Sequence, residues 1–126
     1  MSGTHWATGY IGAEWTRDDT CWHFAARVWR EQFGISVPLL SLDGGDPRAT
    51  RRALDGPERA AWGAVETPAE GDGVLMTKGA RPCHVGIWIG LGGVLHSVQG
   101  AGVIYTPGER VPDLGYRVTG YYRRVT

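Results

Sequence analysis

The sequence has few cysteines, no net charge and no long apolar run. Two cysteines in 126 residues are too few for a disulfide-rich secreted module. The 13 basic residues balance the 13 acidic ones, so no basic face is expected for nucleic acid or an anionic membrane. The longest apolar run, Val85 to Leu95, is interrupted by glycines and is much shorter than the roughly 20 apolar residues of a spanning helix. We therefore expect neither nucleic-acid binding nor membrane insertion.

The length predicts one small domain. A chain of this size buries roughly two-thirds of the surface that its unfolded form exposes, so it needs neither disulfides nor a structural metal to fold. We therefore expect residues 1–126 to form a single domain. The segment Met1 to Tyr10 has neither a basic start nor an apolar core. It does not resemble a signal peptide, and we expect synthesis in the cytoplasm without one.

The first half of the chain predicts helices. Asp18, Asp19 and Thr20 are competent N-caps, apolar residues follow at helical spacing, and Gly34 provides a C-terminal stop. This pattern predicts a helix over about 20–33. Because two of its faces are apolar, we expect it to lie centrally. Two shorter helical segments are predicted at 48–54 and 57–64, where charged residues suggest a solvated layer.

The second half predicts strands separated by glycine turns. Helices followed by strands, without alternation, indicate an α+β fold with helices against one face of the sheet. We expect the N-terminal helix to pack on an antiparallel meander of about five strands. The predicted strands are Gly73–Thr77, Cys83–Ile89, Val94–Val98, Val103–Thr106 and Tyr116–Arg124.

Cys21 is the candidate nucleophile. It lies in the first turn of the predicted helix, where unpaired backbone N–H groups and the helix dipole favour a thiolate. The alternative is that Cys21 is only a small buried apolar residue. A thiol nucleophile also needs a base. His23 follows on another side of the same helix, and His5 lies in a Gly/Thr-rich tail, so we expect neither to be catalytic.

His84 and His96 are the candidate base and orienting residue. A three-residue connection, with Gly92 in the left-handed conformation, closes Ile89 against Gly93. That register makes the two imidazoles diagonal neighbours on one face of the sheet. Gly86 is expected to leave space beside His84 for the helix. The alternatives are two partly exposed strand histidines, or a zinc site.

The zinc alternative combines two neighbouring pairs of ligand types. Cys21 and His23 come from the helix, and Cys83 and His84 from a strand. The spacing is poor, because the sequence has no C-x-x-C pair and adjacent residues of a strand point to opposite faces.

Five short blocks of the sequence carry a resemblance to a known family. They are Tyr10-Ile11-Gly12, Cys21-Trp22-His23-Phe24, Gly71-Asp72-Gly73-Val74-Leu75-Met76, His84-Val85-Gly86-Ile87-Trp88-Ile89-Gly90 and Val94-Leu95-His96. Their order and spacing together resemble the NlpC family of papain-like cysteine peptidases. More narrowly, the chain is similar to the short single-domain members encoded with phage tail genes. The likeness runs from about Tyr10 to Tyr122.

The resemblance implies a peptidase of bacterial peptidoglycan stem peptides that cuts between D-γ-glutamate and the following diamino acid, without metal or organic cofactor. By position, it implies that Cys21 is the nucleophile, His84 the base and His96 the third polar residue. Tyr10 matches a tyrosine that helps to polarise the scissile carbonyl, with the Cys21 backbone N–H as the other donor.

Two positions depart from the family pattern. Thr20 stands where Asp often precedes the nucleophile, and Thr can still cap the helix. Cys83 stands before the base, where Ser or another small residue is common, and we expect it to be a packing residue turned away from His84. The chain also lacks the wall-binding repeats of many relatives. We therefore expect a phage tail or a tail-like particle to carry it to the cell wall.

Two other functions remain open from the sequence. One is a structural tail-assembly component with a vestigial site. The other is acyl transfer, because Cys21-Trp22-His23-Phe24 also resembles the Cys-x-His-Phe stretch of lipid acyltransferases with a permuted version of this fold. Those enzymes place the catalytic His before the Cys, and His5 is the upstream candidate here.

Overall fold

The computed structural model describes residues 5–37, 60–78 and 81–125, and of residues 81–83 it describes the backbone only. The predicted helical segment 48–54 and the predicted orientation of the Cys83 side chain lie outside the described residues. Within them the chain forms one α-helix, six strands and two 3₁₀ helices of five or more residues. These are the 3₁₀ helix Trp6–Tyr10, α1 (Cys21–Phe33), β1 (Trp62–Val65), β2 (Gly73–Lys78), β3 (Arg81–Ile89), β4 (Gly93–Val98), β5 (Gly102–Pro107), the 3₁₀ helix Gly108–Leu114 and β6 (Arg117–Arg124).

Local sequence signals fix both ends of α1, and the predicted helix is confirmed. Thr20 is extended and lies just before the first turn, and its backbone N–H donates to Nδ1 of His23 at 3.2 Å. This is a capping box, in which His23 occupies the position more often held by Glu or Gln. Gly34 ends the helix in the left-handed conformation, at φ 65°.

The sheet is antiparallel, with the strand order β1-β6-β2-β3-β4-β5. The predicted meander is confirmed for β2 to β5 but is wrong for β6, which pairs with β2 instead of β5. The reason is the 3₁₀ helix Gly108–Leu114, which contacts β4, β5 and β6 and carries the chain across the sheet. The sheet therefore has six strands instead of about five.

The prediction of a helix over 57–64 is wrong from Trp62 onwards. Residues Trp62–Val65 form the edge strand β1, which pairs with the end of β6 from Arg124 to Tyr121. Local propensity favours a helix there, but pairing with a distant strand overrides it.

Alternating side chains divide the buried residues into two clusters, one on each face of the sheet. On one face, Val85, Ile87 and Leu95 pack with α1, which contacts β3 and β4. On the other face, Val94 packs with Val111 of the second 3₁₀ helix. The chain is therefore α+β, with one main helix packed on an antiparallel sheet.

The course of α1 over the sheet places Cys21 near the start of β3. Trp29 Nε1 donates to the carbonyl of Gly71 at 2.8 Å, beside the end of the sheet where β2 begins and β3 finishes. Cys21 lies eight residues earlier, about 12 Å along the helix at 1.5 Å per residue. That distance matches between three and four strand residues at about 3.3 Å each. Cys21 accordingly belongs to the same buried cluster as Val85, which follows His84.

Candidate active site

His84 and His96 form a buried hydrogen-bonded pair between β3 and β4. Nε2 of His84 lies 2.7 Å from Nδ1 of His96, and the two side chains are almost fully buried. The predicted hairpin provides the register, because Ile89 pairs with Gly93 and Gly92 has φ 94°. The expected contact between the two imidazoles is therefore confirmed.

Gly86 makes this pair possible, although not in the predicted way. A Cβ built on Gly86 would lie 2.4 Å from Val94 Cγ1, 3.0 Å from His96 Cβ and 3.1 Å from the Leu95 carbonyl oxygen. Atoms of β4 therefore fill the space beside His84, and the expectation that α1 would approach there is wrong. Strand alternation is the physical reason, since α1 packs on the face that carries Val85.

The hydrogen-bonded chain continues to Thr106 on β5. Nε2 of His96 lies 2.9 Å from Oγ1 of Thr106, which is also buried. Sequence reasoning missed Thr106, because its position beside His96 depends on the register in which Val94 pairs with Thr106. A polar residue within a predicted buried strand was the available signal.

Tyr116 covers the other side of the His84 ring. The two rings are stacked, with centroids 4.5 Å apart and planes at 15°. Lys78 Nζ lies 5.6 Å from the centroid of the Tyr116 ring. Sequence analysis assigned Tyr116 to a strand and gave it no part in the site. Tyr116 shields the histidine pair from solvent.

Both imidazoles stay neutral well below neutral pH. Burial lowers the pKa of His84 far below its ordinary value of 6.5, and the nearby His96 and Lys78 lower it further. Burial lowers the pKa of His96 to about 4. A neutral imidazole can accept a proton, as a general base must.

An irregularity in β3 lies directly before His84. Met76 of β2 pairs with His84, whereas the next residue, Thr77, pairs with Pro82. Position 83 is therefore the extra residue of a β-bulge. Bulges bend a strand and re-aim the neighbouring side chains, and they are frequent next to active sites. His84 thus leaves the regular ladder at the end of the sheet where α1 begins.

Cys21 is the first residue of α1 and is 5% exposed. The sequence prediction placed it in the first turn, and this is confirmed. Its position next to the free backbone N–H groups of the helix start favours the thiolate. Because His96 takes Nε2 of His84, Nδ1 is the nitrogen of His84 that can accept a proton from a thiol.

Tyr10 is not placed beside Cys21. Its hydroxyl donates to Glu31 Oε1 and accepts a hydrogen bond from Gln32 Nε2 at 3.1 Å. Both partners lie in the last turn of α1, ten or more residues after Cys21 and therefore about 15 Å along the helix. Burial and the Glu31 hydrogen bond also raise the pKa of Tyr10. The expected role of Tyr10 at the scissile carbonyl does not fit this position.

The other two histidines have structural partners. His5 Nε2 lies 2.8 Å from Glu70 Oε1, next to Trp6, whose ring packs on Phe33 at the C-terminal end of α1. His23 caps the helix start. Among the described residues, no three His, Cys, Asp or Glu side chains converge on a point that could hold a metal ion.

The buried histidines predict that acid destabilises the fold. Since the folded pKa values lie below the unfolded value of 6.5, the unfolded chain binds more protons as the pH falls below 6.5. His96 alone should lower the free energy of unfolding by about 3 kcal/mol between pH 6.5 and pH 4, at about 1.4 kcal/mol per pH unit. Above pH 7 neither imidazole should contribute further change. Urea unfolding at a series of pH values measures this dependence.

A His96→Gln variant is the control for this prediction. Its stability should depend less on pH between 4 and 6.5 than that of the wild type, because one of the two buried imidazoles has gone. Equal pH dependence in the two proteins would show that His96 does not have the lowered pKa.

Comparisons with other proteins leave the family undetermined. No helix in the described parts of the chain is long and apolar enough to cross a membrane. No family model matches the chain, and no curated protein matches it either.

Proposed function

We propose that this protein is a cysteine peptidase with a papain-like fold of the NlpC type, which hydrolyses amide bonds in bacterial peptidoglycan stem peptides. Cys21 is the nucleophile, His84 the base and His96 the residue that orients His84. The observation that carries the proposal is the buried hydrogen bond between His84 and His96, on the two strands against which α1 packs. A helix-start cysteine beside a histidine pair is the arrangement that thiol hydrolysis requires.

The reaction follows from these groups. The Cys21 thiol gives its proton to Nδ1 of His84, and the thiolate attacks the scissile carbonyl carbon. The backbone N–H of Cys21, at the helix start, donates to the oxyanion. The imidazolium of His84 then protonates the leaving amine, and a thioester remains on Cys21. Water, deprotonated by His84, hydrolyses this thioester and releases a carboxylate and the free thiol.

The proposal requires the thiol to meet His84 at the bulged end of β3. The imidazoles extend on the face of the sheet that carries Tyr116, whereas the body of α1 packs on the opposite face. Cys21 is at the end of α1 that lies level with His84. The thiol and the imidazole therefore have to approach each other where the ladder is irregular. An alkylation rate that depends on His84 would demonstrate this contact.

The substrate class comes from the resemblance of the five sequence blocks, and the D-γ-glutamyl–diamino acid bond is the expected target. We infer that a phage tail or tail-like particle delivers the domain, since its zero formal charge offers no general attraction to an anionic wall. In that setting the protein is virion-associated and acts in the cell wall.

Digestion of purified peptidoglycan tests the proposed function. The protein should release new amino groups, and mass spectrometry should find stem fragments that end at D-γ-glutamate and fragments that begin at the diamino acid. A chelator should leave the rate unchanged. Release of reducing sugars without new amino groups, or no release at all from several wall types, would contradict the proposal.

The acyl-transfer alternative is less well supported. It requires His5 as the base, and His5 is bonded to Glu70 near the C-terminal end of α1, far from Cys21. His84, by contrast, lies at the end of the sheet where α1 begins. The order of nucleophile first and base second therefore fits the peptidase reaction better.

A further inference from the structure

Thr106 ends a chain of three buried side chains that begins at His84. His84 Nε2 is bonded to His96 Nδ1 at 2.7 Å, and His96 Nε2 is bonded to Thr106 Oγ1 at 2.9 Å. Thr106 is 6% exposed and lies on β5, diagonally across the sheet from His96. Two nitrogens of His96 are thus both engaged inside the protein, and the inference below rests on the proposed function of this site.

The protons in this chain can be arranged in only two ways while both imidazoles are neutral. In the first arrangement, His84 carries its proton on Nε2 and donates to His96, which carries its proton on Nε2 and donates to Thr106. In the second, Thr106 donates to Nε2 of His96, and His96 donates from Nδ1 to Nε2 of His84. The second arrangement puts the remaining proton of His84 on Nδ1.

Only the first arrangement leaves His84 able to act as a base. In it, Nδ1 of His84 has a free lone pair, which can take the proton of Cys21. In the second, Nδ1 already carries a proton and can only donate. The chemistry of the site therefore depends on which tautomer His96 adopts, and the partner of its Nε2 decides this.

We propose that Thr106 is a positioning residue, which holds His84 in its basic tautomer by accepting a hydrogen bond from Nε2–H of His96. A hydroxyl group can accept this bond, whereas an apolar side chain cannot. Burial makes the choice strict, because water is not at hand to satisfy an imidazole N–H that has lost its partner. Thr106 acts through His96 and does not itself touch the substrate.

Thr106→Val and Thr106→Ser form a matched pair that tests the proposal. Valine keeps the shape and removes the acceptor, whereas serine keeps the hydroxyl. Nitrogen-15 NMR at neutral pH reports which ring nitrogen of each histidine carries the proton. The wild type and the serine variant should show His84 protonated on Nε2. The valine variant should move this proton to Nδ1 and reduce kcat/KM by about 10²-fold, the scale of general base catalysis.

The results can overturn the proposal in two ways. A wild-type spectrum with His84 protonated on Nδ1 contradicts it, even if the valine variant does not fold. Unchanged tautomers in a folded valine variant contradict it too. Because the NMR measurement needs no substrate, it is separable from the proposed function: the predicted tautomers in a protein without peptidase activity would preserve the role of Thr106 and reject the peptidase.

Discussion

Replacing Cys21 with alanine should reduce amide cleavage in peptidoglycan by about 10⁴-fold or more, since the acyl-thioester cannot form without the sulfur. The fold should survive, because alanine at the first position of α1 keeps the helix start and removes only one buried atom. Release of new amino groups from purified peptidoglycan measures the activity. Thermal unfolding of the same sample measures the stability.

Cys83→Ser is the matched control, since the chain has only these two cysteines. This variant should keep its activity and should still be inactivated by iodoacetamide. Full activity in the Cys21→Ala variant would refute the nucleophile assignment. If instead the wild type lacks activity, and particles that carry the alanine variant assemble normally, the protein is a structural component of the tail.

Alkylation also tests the pairing of Cys21 with His84. In the wild type, iodoacetamide should modify Cys21 at a rate that the thiolate population controls. His84→Ala should slow this modification, because the thiol loses the group that takes its proton. An unchanged rate in a folded His84→Ala protein would show that the two side chains do not interact.

Local signals in the sequence were sufficient for the parts of the site that lie within one element or one hairpin. Thr20 and Gly34 define the ends of α1, because caps act within a single turn. Gly92 defines the β3–β4 hairpin, because its left-handed conformation fixes the register. That register brings His84 to His96. These features depend on residues close together in the chain.

Features that depend on distant residues were missed or misplaced. β6 returns to β2 through the second 3₁₀ helix, and this crossing brings Tyr116 over His84. Thr106 reaches His96 only through the β4–β5 register. Tyr10 lies near Cys21 in the sequence, yet its hydroxyl bonds to Glu31 at the far end of the helix. None of these placements follows from local propensity or spacing.

Replacing Gly86 with alanine should both destabilise the fold and separate the two histidines. The added methyl group would lie 2.4 Å from Val94 Cγ1 and 3.0 Å from His96 Cβ, distances at which β4 has to move. The Leu95 carbonyl oxygen, at 3.1 Å, belongs to the backbone and cannot rotate away. We expect a loss of about 3 kcal/mol in the free energy of unfolding, the upper part of the range for overpacked cores.

Two further variants isolate the cause of this effect. Gly90→Ala adds the same methyl group at the end of β3, where the nearest atom, Glu70 Oε1, is 3.6 Å away, and it should cost far less stability. Val94→Ala removes the closest of the clashing atoms, so the double variant with Gly86→Ala should be more stable than the two single losses predict by addition. Amide cleavage should fall with Gly86→Ala even where the protein remains folded, since a shift of β4 carries His96 away from His84. Equal losses of stability in the Gly86→Ala and Gly90→Ala proteins would mean that the loss of glycine, and not the close approach of β4, is what matters.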